Sequence, residues 1–259
     1  MSHFAVAVIH REEQEIDGLL APYMENCCGT PDYKYMVFYG GIEEHGDEYE
    51  NDSVERVKMP DGRLLAPWDD EVKGDEMPAG SELVQVPFKE LYPTIEAFLR
   101  DWHGQDIDEL TGRYGYWQNP NAKWDWYDGG GGRYRKYAEE LMGFQSGPVA
   151  DIRFDSDARR DGAEKWWDEN MDDEGKPKNV FAAFGCDKMT REQFIESSAH
   201  LSYRAVVTPD AEWHEPGEMG LWGMSSESGD EMHDWRIHFE ERFIEPYQDC
   251  IITVVDCHI

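Results

Sequence analysis

Two apolar runs bracket the chain. Phe4-Ala5-Val6-Ala7-Val8-Ile9 and Ile251-Ile252-Thr253-Val254-Val255 hardly alternate with polar residues, so each reads as a strand buried on both faces. Such strands need neighbours on both edges, which predicts that the two ends of the chain lie side by side in one sheet. Further strands are predicted at residues 35–39, 83–86, 180–184 and 203–207.

Helical spacing shows in three places. Over about 93–102, Ile95, Phe98, Leu99 and Trp102 share one face, and Pro93 suits the first turn, where its missing N–H costs nothing. A second helix is predicted from the glycines at 129–132 to about Met142, with Gly143 as its stop. The third has the clearest stripe: Met232, Trp235, Phe239, Phe243 and Tyr247, with Pro246 ending or kinking it. Residues 43–76 and 151–174 read instead as acidic, turn-rich surface excursions. The pattern predicts an α+β fold in a single domain, 1–259. A central β-sheet contains both the N- and C-terminal strands and is flanked by helices, with long acidic insertions at about 43–76 and 151–175.

Composition supports a real core. Hydrophobic residues make up 40% of the 259 positions and aromatics 13%, with ten tryptophans, unlike a disordered acidic tail. Fifty-six acids against 24 Lys and Arg leave a net charge of −32. That excludes a plain duplex-DNA binder, which needs a basic face. It fits a solvated surface in a salty cell, a cation-binding surface, or an imitation of a phosphate backbone offered to a nucleic-acid-binding protein. The five cysteines (27, 28, 186, 250 and 257) lack regular spacing and form no C-x-x-C pair, which argues against a disulfide framework and a zinc ribbon. No leader is read at Met1-Ser2-His3-Phe4, and no apolar run approaches the ~20 residues that span a bilayer. A cytoplasmic protein without membrane contact is expected.

Candidate chemistry concentrates in two segments. From Tyr114 to Tyr127 there are six aromatics in fourteen residues, followed by Asp128, four glycines and Arg133. Read as an extended strand, this places Trp124 and Trp126 on one side and Asp125 and Tyr127 on the other. Arg133, Arg135 and Lys136 form a cationic island, with no acid from Gly129 to Ala138. Glycines feeding a helix N-terminus suit an anion, and aromatic faces suit a base, so Trp124, Asp125, Trp126, Tyr127 and Arg133 are candidates to bind a nucleotide or other phosphate ligand. The spacing matches neither a P-loop nor a dinucleotide fingerprint, so no cofactor is named. The plainer alternative makes the tryptophans core residues and the glycines a turn.

The second segment is Asp256-Cys257-His258, at the end of a buried strand. Alternation puts Asp256 and His258 on one face, where they can serve as acid and base or as metal ligands. If the terminal strands pair, His3 or His10 can approach them. The alternative is a tail with a satisfied histidine. His214-Glu215-Pro216-Gly217-Glu218 cannot form the helix of a His-Glu-x-x-His zinc site and reads as a loop or lid. The Asp151–Asp161 and Asp168–Asp172 carboxylates lack the EF-hand glycine and glutamate and read as solvated charge; no metal site is assigned.

Asn119-Pro120-Asn121-Ala122-Lys123-Trp124-Asp125-Trp126-Tyr127 with a following Gly-Gly-Arg resembles a signature of an uncharacterised family of bacteriophage-encoded proteins. The start Met1-Ser2-His3-Phe4, the loop Gly217-Glu218-Met219-Gly220 and the ending Thr253-Val254-Val255-Asp256-Cys257-His258-Ile259 are similar to the same family. The family pattern has a bulky residue between the tyrosine and Gly-Gly-Arg, whereas Asp128 and two additional glycines intervene in this chain. The resemblance implies a viral accessory protein in a bacterial host cytoplasm and supplies no activity. Three functions are therefore expected candidates. The first is a pocket for a nucleotide-like or other phosphate-bearing ligand, with or without catalysis, that unites Arg133 with His258. The second is an acidic nucleic-acid mimic that inhibits a host defence or DNA-processing partner. The third is a virion-associated structural protein.

Overall fold

The computed structural model describes residues 3–25, 33–72, 77–129, 146–179, 188–218 and 225–259. The helix expected after the 129–132 glycines and the strand expected at 180–184 lie outside the described residues. In chain order the strands are β1 (His3–His10), β2 (Val37–Tyr39), β3 (Ser53–Lys58), β4 (Leu64–Leu65), β5 (Glu82–Pro87), β6 (Tyr116–Gln118), β7 (Trp126–Asp128), β8 (Ser146–Pro148), β9 (Ala205–Val207), β10 (Trp213–His214) and β11 (Ile251–His258). The α-helices are α1 (Ile16–Leu20), α2 (Ile42–Asn51), α3 (Phe88–Leu91), α4 (Ile95–Asp101), α5 (Ser156–Asn170), α6 (Arg191–Ser198) and α7 (Gly229–Ile237). They fall into two compact units, one of residues 1–35 and 119–259, the other of residues 36–118.

The first unit is built on a six-stranded mixed sheet of order β10-β9-β1-β11-β7, in which β8 also pairs with β11. The apolar termini do pair: β1 and β11 run antiparallel from His3↔His258 to His10↔Ile251. Parallel β9 takes the other edge of β1, and β7 and β8 divide the far edge of β11. β9 covers residues 6–8 of β1, and β8 and β7 cover residues 251–253 and 256–258 of β11, so much of the backbone of both strands is paired inside the sheet and their apolar side chains can be buried on both faces.

The two faces have different covers. Ala5, Ala7, Ile9, Ile252 and Val254 pack with residues of α5, α6 and α7. Phe4, Val6, Val8, Val255 and Cys257 pack with Leu19 and Leu20 of α1 and with Trp124. Helices α6 and α7 each begin with a capping box, Thr190 with Gln193 and Ser228 with Glu231, which satisfies N–H groups the first turn leaves orphaned. The stripe from Met232 continues past the end of α7 into a π-helical turn, Glu240–Ile244, and a 3-10 turn, Glu245–Tyr247, that contains Pro246. Proline offers no N–H, so the regular ladder cannot run through it.

Several expectations need correction. The acidic segment after residue 151 holds the fifteen-residue helix α5, capped by Asp155, whose side chain accepts from Ala158 N–H. Its buried residues, Ala163 and Trp167, are too sparse among charged neighbours to show as a stripe. Pro93 lies before the N-cap Thr94 and not in the first turn of α4. Strands β2 and β9 begin later than the apolar runs suggest, because a 3-10 turn occupies Tyr33–Tyr35 and residues 203–204 precede the ladder.

In the second unit β4, β3 and β5 form an antiparallel sheet, and β2 pairs with β6. The segment expected as an irregular acidic excursion there contains α2 and β3. Phe88, Phe98 and Leu99 are buried, with the Phe88 and Phe98 rings 4.7 Å apart. Tyr49 of α2 packs its ring 5.4 Å from Phe98, and its hydroxyl donates to the Tyr92 carbonyl.

Candidate functional site

At one end of the main sheet the buried face changes from apolar to polar. Residues directly opposite in an antiparallel pair share a face. Register puts His258 opposite His3 and Asp256 opposite Ala5, on the side that Ala7, Ile252 and Val254 occupy further along. β7 adds Trp126 opposite His258 and Asp128 opposite Asp256.

The result is two neighbouring histidine–carboxylate pairs. His258 Nδ1 lies 2.7 and 2.9 Å from the two Asp125 carboxylate oxygens. His3 Nδ1 lies 3.0 Å from Asp256 Oδ1. Asp256 and His258, expected as a pair, therefore stand on one face but bond to different partners. The His3 ring meets His258 edge-on at 5.0 Å and Trp126 edge-on at 5.4 Å. Trp126 stacks on His258 at 5.0 Å, with 18° between the planes. Asp256 and His258 are buried, whereas Trp126 keeps 41% of its surface exposed.

Chemistry follows from the geometry of His258. A carboxylate only accepts hydrogen bonds, so Nδ1 donates to Asp125, and in the neutral ring Nε2 holds the lone pair. No hydrogen-bond partner of Nε2 occurs among the described residues. A carboxylate that fixes tautomer and ring orientation is the arrangement used both by general-base histidines and by metal-bound ones. The exposed Trp126 face next to it offers a stacking surface.

The rest of the aromatic segment has a different job. Trp124 is buried on the opposite face of the sheet, donates from Nε1 to the Leu20 carbonyl at 3.3 Å, and meets Tyr127 edge-on at 5.3 Å. The expected grouping of Trp124 with Trp126 is thus wrong. The strand begins only at Trp126, and the bend at Asp125 breaks the alternation, so Asp125 and Trp126 both reach His258. Tyr127 donates from its hydroxyl to Asp17, and burial, more than that carboxylate, pushes its pKa up from the ordinary phenol value. Burial raises the Cys257 thiol as well, so the thiolate that would make it a nucleophile is disfavoured.

Asn119 anchors the segment. Its amide nitrogen donates to the Pro22 and Met24 carbonyls at 2.8 and 3.0 Å, and its amide oxygen accepts from Asn121 N–H at 2.9 Å. Arg133, Arg135 and Lys136 lie outside the described residues. His10 is engaged elsewhere, with Nε2 3.0 Å from Thr253 Oγ1.

A cleft of about 930 Å³ lies in the same unit, lined by Lys123, Trp213, Glu215, Asp234 and Arg242 among others. Its two cations are neutralised, Lys123 by Glu215 at 2.7 Å and Arg242 by Asp234 at 2.9 Å. Such a cleft is poorly suited to an anion, and neither Trp126 nor His258 lines it. The His214–Glu218 loop contributes to this wall, where the His214 ring packs 5.2 Å from Phe243. No helix among the described residues is long and apolar enough to cross a membrane.

The chain matches no protein-family model, no curated protein and no solved structure.

Proposed function

We propose that this protein binds a nucleotide-like, phosphate-bearing ligand at the His258 end of its sheet and transfers a proton there, as an accessory protein of a bacteriophage. The observation that carries the reading is the clamped imidazole: Asp125 holds Nδ1, and the half-exposed Trp126 ring lies flat against His258. Trp126 is the stacking face for a base, and His258 Nε2 is the proton acceptor. The preference for phosphate rests on sequence, on the Arg133, Arg135 and Lys136 run that follows β7.

Titration of the full chain with AMP, ATP and adenosine, followed by the His258 ring signals in NMR, tests this. Nucleotides should shift those signals more strongly than the nucleoside. Stacking of one base is worth about 1–3 kcal/mol, so Trp126→Ala should weaken binding by roughly 5- to 150-fold. Arg133→Ala should remove the advantage of nucleotide over nucleoside. Indifference of the His258 signals to all three compounds would refute the proposal.

A further inference from the structure

A second cluster of chemically capable side chains lies in the unit of residues 36–118 and shares no residue with the site described above. His45 and Glu48 sit three residues apart on α2, hence on one helical face. His103 follows the end of α4 and packs edge-on against Phe98 at 5.0 Å. A ring nitrogen of each histidine lies near the same atom: Glu48 Oε2 is 3.5 Å from His45 Nδ1 and is hydrogen-bonded to His103 Nε2 at 2.9 Å. The two imidazoles lie nearly parallel, with centroids 3.7 Å apart. The donor atoms of the three side chains all fall within 4.8 Å of one another, and among the described residues this is the one such group of three.

From this convergence we infer that His45, Glu48 and His103 form a binding site for a first-row divalent metal ion of the zinc type. Ligand spacing supports it. At metal–ligand distances of about 2.0–2.1 Å, tetrahedral donors sit roughly 3.3 Å apart, a value that the observed 2.9 and 3.5 Å bracket. Two imidazoles and one carboxylate suit such ions and not calcium or magnesium, which prefer oxygen donors. Three protein ligands leave a fourth position open to water. The side chains are mostly enclosed, at 16%, 30% and 22% exposure, which limits competition from bulk solvent without closing the site. A chain of net charge −32 also raises the local concentration of cations. The ion would tie α2 to the segment after α4.

The test uses the full chain, stripped with a chelator and titrated with Co²⁺ and then with Zn²⁺. One equivalent of Co²⁺ should give the intense visible absorption of a four-coordinate site, and Zn²⁺ should displace it. Zn²⁺ should also raise the unfolding temperature. His103→Ala and the more conservative Glu48→Gln should each weaken binding at least 10-fold, since changes even to outer-shell partners cost 10–100-fold. His258→Ala should leave the cobalt spectrum unchanged. The proposal is overturned if the native chain takes up neither ion, if the spectrum is that of a six-coordinate ion, or if folded Glu48→Gln binds as the native chain does.

Discussion

At the scale of single residues, what matters is which hydrogen-bonding groups are held and by what. Asn119 is buried and spends its amide on two carbonyls and one N–H, which fixes where Lys123, Trp124 and Asp125 leave the turn. Asn119→Ala should strand those partners and cost about 1–3 kcal/mol, read from the denaturant midpoint. The same change should broaden the His258 ring signals in NMR, because Asp125 loses its fixed approach. Asp125 and Trp126 are visible in the sequence as candidates. Their roles are not, because a bend at Asp125 overrides the period of two on which the alternation depends.

At the scale of elements, capping explains why polar stretches become helices. Ser228 accepts from Glu231 N–H, and Glu231 returns a bond to Ser228 N–H at 2.7 Å. Ser228→Ala should lower stability by about 0.5–2 kcal/mol, measured by chemical denaturation. The Ser228 backbone N–H, followed by its hydroxyl, holds the Glu231 carboxyl below its ordinary 4.5. A folded pKa below the unfolded one means stability that is present above the unfolded value and lost as pH falls through the folded value. The cost of Ser228→Ala should therefore shrink as pH falls from neutral to below the ordinary carboxylate value of 4.5. Helices α2 and α5 belong to the same account. Each starts with acids near its positive end, Glu43 and Glu44 in one and Asp155 with Asp157 in the other, so acidity that looks like solvated loop also favours helix.

At the scale of the whole molecule, net charge sets the dominant long-range force. Many acids do have close partners, such as Glu71 and Asp61 on Arg63. With only 24 Lys and Arg against 56 acids, most of the surplus must still be screened by solvent ions. Added NaCl between about 0.01 and 0.5 M should raise the unfolding temperature, as the Debye length falls from roughly 30 Å to a few ångströms. A melting temperature that is flat or falls across that range would show that local pairing already cancels the repulsion.

The central pairing of β1 with β11, the α7 stripe and the α+β class could be read from the sequence alone. They depend on burial, and burial is written into runs and periods of apolar residues. The proximity of His3 to Asp256 also follows once the two end strands are paired, because register then carries their chemistry along. The polar groupings were left to the tertiary structure. Asp125 reaches His258 across 133 positions of chain, and His103 reaches Glu48 across 55. A hydrogen bond or a metal donor set needs direction and distance between side chains far apart in sequence. Neither leaves a period in the chain, so only the folded backbone, with its bends and loop lengths, decides them.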